Sequence, residues 1–227
     1  MSDFWNLYGS QILTALGQHL YLVGLSLVLG IIVAVPLGIL LTRFPRGAAP
    51  IIAVASIVQT IPSLVFFALL IPFLGIGLQP ALLVLVLYSL LPILRNTYVG
   101  VRSVDPTLID ASRGQGMTSW EILSMVELPL SAPIIVAGIR LAAIYLVSWA
   151  TIAALIGAGG LGELIFSGLD SEDVNLLMAG AIPTALLALI IGFVFGQVRR
   201  LVTPRGLREE LVKAVARPDL EKEVITA

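Results

Sequence analysis

From Gly47 to Leu94 the chain carries no charged residue, and Lys and Arg are also missing from residues 1–42 and 141–198. No soluble fold of ordinary size hides apolar runs of that length. With 58% hydrophobic residues, 12% charged residues and a mean hydropathy of +1.04, the sequence belongs in a bilayer. In hydrocarbon every backbone N–H and C=O must be satisfied within the protein, which leaves helices or a closed barrel. Apolar runs of helix length, rather than short alternating strands, predict an all-α membrane protein. A spanning helix needs about 20 apolar residues. The 47–94 run must therefore fold back on itself, and Gly75-Ile76-Gly77-Leu78-Gln79-Pro80 is the place to turn.

Five spans follow: Leu20–Thr42, about 51–74, about 78–94, Ser131–Ile156 and Val174–Val198. Pro36, Pro62, Pro92 and Pro183 fall inside them, where proline is tolerated and commonly kinks a helix. Every Lys and Arg sits at 43–46, within 95–140, or from Arg199 onward. These clusters alternate as five spans require with the N-terminus outside and the C-terminus in the cytoplasm. Residues 1–18 carry Phe4, Leu7, Tyr8, Ile12, Ala15 and Leu16 at helical spacing, without a basic n-region. They are expected to be a retained amphipathic helix along the outer leaflet rather than a signal peptide. Residues 19–200 are then the transmembrane domain, with a cytoplasmic loop at 95–130, and residues 201–227 a charged cytoplasmic tail, expected as a short solvated helix followed by disorder.

That loop holds a polar island at residues 110–129. Asp105-Pro106 is an N-cap followed by proline at the first helical position. Gly114 and Gly116 should end that helix. Thr118 stands three residues before Glu121, the spacing of a capping box, so a second short helix opens there and is expected to stop before Pro129. A helix–glycine–helix elbow on the face of a membrane protein suits the cleft of a soluble partner.

The spacing in this island resembles the cytoplasmic signature of bacterial ABC importer permeases: Glu-Ala-Ala, three residues, Gly, nine residues, Ile-x-Leu-Pro. Asp110, Ala111, Ser112, Gly116, Val126, Leu128 and Pro129 occupy those positions, with Asp for Glu, Ser for the second Ala and Val for Ile. Gln59-Thr60-Ile61-Pro62-Ser63, Ile71 to Gly77, Leu91 to Tyr98 and Ala154 to Gly162 look like the osmoprotectant branch, whose members import glycine betaine, choline, carnitine or related quaternary ammonium solutes. The resemblance covers about residues 20–200. It implies a type I importer permease fold of the methionine-permease kind, in the bacterial inner membrane. It also implies a second permease subunit (the same chain or another), cytoplasmic ATPase subunits that hold ATP and magnesium, and an external substrate-binding protein. No cofactor is expected in this chain itself.

The inventory of side chains argues against other classes. Lys213 and Lys222 are the only lysines and follow no glycine-rich loop, so no P-loop is present. There is no cysteine, one histidine (His19, expected at the outer edge of the first span), and no Gly-x-Ser-x-Gly elbow, so neither a metal site nor a catalytic residue is expected. No span contains Asp or Glu, which disfavours a secondary transporter with a carboxylate relay. Net charge is −1, giving no reason to expect a nucleic-acid partner. Gly157-Ala158-Gly159-Gly160-Leu161-Gly162 matches a dinucleotide fingerprint in letters but follows a membranous helix, and reads as a turn. A methionine-type amino-acid importer permease is the alternative within the class. For a solute path the spans offer Gln59, Thr60, Ser63, Ser148 and Thr151 as uncharged polar groups and Tyr88, Tyr145 and Trp149 as aromatic faces for cation–π contact. Arg140, alone within a span, is expected to snorkel towards the cytoplasm or pair with Glu127.

Overall fold

The computed structural model describes residues 2–204, and every regular element among them is helical. The tail expected beyond 204 lies outside the described residues. In chain order the helices are α1 (Ser2–Arg43), α2 (Pro45–Thr60), α3 (Ser63–Leu74), α4 (Leu78–Arg102), α5 (Pro106–Gly114), α6 (Ser119–Ile122), α7 (Leu128–Ala153), α8 (Leu161–Asp170) and α9 (Val174–Val202). Among the described residues, four stretches are long and apolar enough to cross a bilayer: Leu7–Arg43, Leu78–Arg102, Ser119–Ile156 and Val174–Val202.

The second expected span is not one rod. α2 and α3 meet at 94° across Ile61-Pro62. Pro62 has no N–H to give the helix and pushes Ile61 into an extended conformation (φ −66°, ψ 126°), so α2 ends and a new helix starts at Ser63. Taken together as one broken span, the bent pair is apolar and long enough to make a fifth candidate membrane segment. Pro36, Pro92 and Pro183 stay inside continuous helices, as do Pro50, Pro72 and Pro133.

Residues 1–18 also depart from expectation. They are not a separate leaflet helix: the helix described from Ser2 runs unbroken into the first span and reaches about 63 Å in all, twice the hydrocarbon thickness. Ile12 and Ala15, assigned to an apolar face on lipid, pack instead against Leu161, Leu164 and Ala179 of α8 and α9. Tyr8 donates its hydroxyl to Asp173 at 2.7 Å, tying α1 to the start of α9. His19 does not face out of the helix bundle. It is fully buried, with Nε2 3.1 Å from the Val147 carbonyl.

The core is the contact of α1, α4, α7 and α9, filled by Leu22, Leu85, Tyr88, Ile93, Leu94, Leu146 and Val147. Without a hydrophobic force between helices in lipid, close backbone approach must supply the attraction. A Cβ on Gly138 would lie 2.5 Å from that of Asn96 and 2.7 Å from the Pro92 carbonyl, so α4 and α7 touch where only glycine fits. The 157–160 segment is a turn, with no strand before it among the described residues, and its Gly160 N–H bonds Gln18 Oε1 at 2.9 Å. The expected turn at 75–77 is present, its Gly77 N–H reaching the Ile156 carbonyl at 2.7 Å.

Candidate coupling segment and solute path

α4 continues to Arg102, so the non-spanning segment begins at Ser103. Asp105 caps α5 by accepting the Thr107 N–H at 2.8 Å, and that bond holds its carboxyl below the usual range. α5 closes in a Schellman motif: Gly116 N–H bonds Arg113 O at 2.9 Å, and Met117 N–H bonds Ser112 O at 3.2 Å. Gly116 takes φ +84°, which L-residues rarely adopt, with no neighbouring atom within 4 Å of an added Cβ. Of the two glycines expected to end the helix, the left-handed turn uses Gly116. The capping box forms: Glu121 N–H bonds Thr118 Oγ1 at 3.3 Å and Glu121 Oε2 accepts Thr118 N–H at 2.7 Å, which lowers the Glu121 pKa.

The second short helix does not stop before Pro129. α6 passes through a π turn, Leu123–Glu127, directly into α7. A proline two residues into α7 would press against the carbonyl four residues back in a regular helix. The wider turn, closed by the Leu128 N–H to Leu123 O, relieves that contact and keeps the chain helical. The turn also aims Glu127 inward. Its side chain is 3% exposed and receives both Nη groups of Arg43 at the end of α1, one of them at 3.0 Å. The expected pairing of Glu127 with Arg140 is therefore incorrect: the rotation of the π turn presents Glu127 to α1.

Of the motif residues, Asp110, Ala111, Gly116 and Pro129 are exposed, Val126 and Leu128 half-buried. Among the described residues Asp110 contacts Arg113 at 3.3 Å, an exposed pair worth little in water. Ser112 turns inward, its hydroxyl bonded to Leu108 O at 2.7 Å. Sequence reasoning passed over Leu108, Trp120 and Met125, three large apolar side chains exposed on or beside the elbow. The available signal was their polar setting, where an apolar side chain has no lipid to face.

The break in the second membrane segment gathers part of the expected solute path. Gln59 and Ser63 are half-buried and Thr60 exposed around Ile61-Pro62. Tyr88 of α4 donates its hydroxyl to the Ile61 carbonyl. From that anchor the rings run in series: Phe66 to Tyr88 at 5.6 Å, Tyr88 to Trp149 at 4.6 Å and Trp149 to Tyr145 at 5.4 Å. Tilted rings at these distances attract one another and leave π faces available at the open end, where Tyr145 is exposed. Thr151 is not brought there. Its hydroxyl is bonded to the Val147 carbonyl and its own backbone carbonyl packs on Gly162 of α8, two residues and half a helical turn from Trp149.

The family described as binding-protein-dependent transport system inner membrane component matches residues 26–207. The chain is 50% identical over 206 residues to the carnitine transport permease protein OpuCB of Listeria monocytogenes, covering 91% of this chain and 94% of that protein. It is 49% identical to the glycine betaine/carnitine/choline transport system permease protein OpuCB of Bacillus subtilis (strain 168), covering 92% and 96%. Among solved structures it resembles an inward-facing form of the MetNI methionine ABC transporter, with TM-score 0.75 and 24% identity over 85% of this chain and 96% of that one.

Proposed function

Because the chain belongs to the family of inner membrane components of binding-protein-dependent transport systems, we propose that it conducts quaternary ammonium compatible solutes, of the glycine betaine, carnitine and choline class, through an ATP-driven importer. It is a multi-pass permease subunit of the inner membrane. The observation that carries the solute class is the 50% identity, over nine-tenths of the chain, to a carnitine permease. The likeness to a methionine transporter, at 24% identity, speaks for the fold alone.

The work divides as the side chains dictate. The elbow at 105–127, with its exposed Asp110, Ala111 and Gly116 beside Leu108, Trp120 and Met125, is the surface offered to a cytoplasmic ATPase subunit that holds ATP and magnesium. The π turn transfers displacement of that elbow into α7, on which Tyr145 and Trp149 ride. Zwitterionic solutes gain nothing from the membrane potential, so accumulation needs the ATPase. A quaternary ammonium leaving an external binding protein meets weak cation–π contacts, each worth about 0.5–2 kcal/mol, which guide without trapping. The path lies between this subunit and a second permease, and alternating access follows closure of the ATPases.

The test is reconstitution in liposomes together with ATPase, permease and binding-protein partners of the same importer. ATP-dependent uptake of labelled glycine betaine, carnitine or choline is expected. Uptake of methionine with none of these, or uptake that persists without the ATPase, would reject the reading.

A further inference from the structure

At the end of the molecule that carries the elbow, α7 and α9 border a cleft of about 580 Å³ between Pro133 and Thr203. Arg140, Arg199 and Arg200 line it with Gln197 and Thr203, and no acidic residue among those described does. Arg140 is the only charge between Leu128 and Gly162. Room for its guanidinium is made by two glycines one turn apart on α9: an added Cβ on Gly192 would lie 3.8 Å from Nη2, and one on Gly196 3.8 Å from Nη1. The head group therefore lies along a bare strip of helix, half-buried, and pairs with no carboxylate among the described residues.

A guanidinium held part-way into a low-dielectric layer without a counter-charge favours an anion, and its planar fork fits two oxygens of one phosphate. The outer lip of the cleft is apolar. Phe193 is 67% exposed there, and Leu189, Ile190 and Leu201 are exposed along α9. A free anion has no use for such a lip, whereas a ligand with a charged head and a hydrocarbon tail does. A betaine carboxylate would drag its ammonium in among three cations. We propose that this cleft binds the phosphate of an anionic phospholipid of the cytoplasmic leaflet, with Arg140 as the bidentate contact, Arg199 and Arg200 supplying field at the rim, and an acyl chain running over Phe193.

The site stands apart from the choice of transported solute and is tested without transport. The assembled transporter in mild detergent is titrated with phosphatidylglycerol, phosphatidylcholine and inorganic phosphate, and adducts are counted by native mass spectrometry. Wild type should take up phosphatidylglycerol in preference to phosphatidylcholine, and millimolar phosphate should not displace it. Arg140→Gln should weaken phosphatidylglycerol binding about tenfold or more, the loss of at least one charge-assisted hydrogen bond, and Arg140→Lys should fall between. Equal binding by wild type and Arg140→Gln would overturn the site; displacement by phosphate, or no preference over phosphatidylcholine, would overturn the lipid assignment. Should Arg140→Gln fail to assemble, Phe193→Ser and the paired Arg199→Gln/Arg200→Gln variant make the same comparison on exposed residues. Unchanged phosphatidylglycerol binding in both refutes the proposal.

Discussion

Breaking the Arg43–Glu127 pair should destabilise the protein unequally from its two sides. Glu127 is 3% exposed in its side chain and Arg43 43% exposed, so the arginine keeps part of its water and the carboxylate almost none. Arg43→Ala strands a buried carboxylate. Removing one partner of a buried pair costs about 3–5 kcal/mol, and the half-exposed arginine places this one near the lower figure, about 3 kcal/mol. Glu127→Gln leaves a guanidinium that can rehydrate and an amide that still accepts one hydrogen bond, for about 1–2 kcal/mol. The double variant Arg43→Ala/Glu127→Gln should then be more stable than Arg43→Ala alone, because the stranded charge is gone. Thermal unfolding of the purified transporter reads this directly, at about 2–4 °C per kcal/mol for a chain of this size. Equal losses from the two single variants, or a double variant less stable than Arg43→Ala, would show that Glu127 is not held as a buried charge by α1. The consequence extends to coupling, since Glu127 sits in the π turn joining the elbow to α7. Arg43→Ala should raise the ATP hydrolysed per solute moved as well as lower stability.

Four further outcomes are expected. Gly116→Asp forces a side chain to φ +84° at a cost of about 1–2 kcal/mol but meets no neighbour, so the subunit should insert and dimerise while solute uptake collapses; normal uptake would remove Gly116 from the docking surface. Trp149→Ala removes ring contacts to Tyr88 and Tyr145 worth about 0.5–1.5 kcal/mol each and should cut quaternary ammonium uptake, whereas Trp149→Phe should keep much of it; equal activity of the two variants would leave Trp149 a packing residue. The Glu121 carboxylate, lowered from its ordinary value near 4.5 by the Thr118 N–H, stabilises α6 fully above that value and loses the contribution as pH falls through the depressed one, so protection of the Thr118 amide in hydrogen exchange should fall only in acid, and a loss between pH 6 and 8 would refute the assignment. Single cysteines at Gly77 and Ser171 should label from outside intact cells and those at Arg46 and Gly114 should not; external labelling at Gly114 would invert the topology.

What could be read from the sequence was whatever a few consecutive residues decide. Apolar run length determined the long helices, the Asp105 and Thr118–Glu121 caps formed where their spacing placed them, and Gly75–Gly77 turned the chain. Family membership was legible for the same reason, the 110–129 motif being a local pattern. The tertiary structure decided what depends on the rotation of one helix against another. Pro62 in a long apolar run could have kinked a single span; that it breaks the helix at 94° is supported by a hydroxyl 27 residues away, Tyr88 on the Ile61 carbonyl. Residues 7–16 showed an apolar stripe, but periodicity cannot tell lipid from a neighbouring helix, and the neighbour won. One extra residue per turn at Leu123–Glu127 rotated Glu127 to Arg43, 84 positions distant, and left Arg140 facing the glycines of α9. A helix's sequence sets which side chains share a face; only packing sets what that face meets.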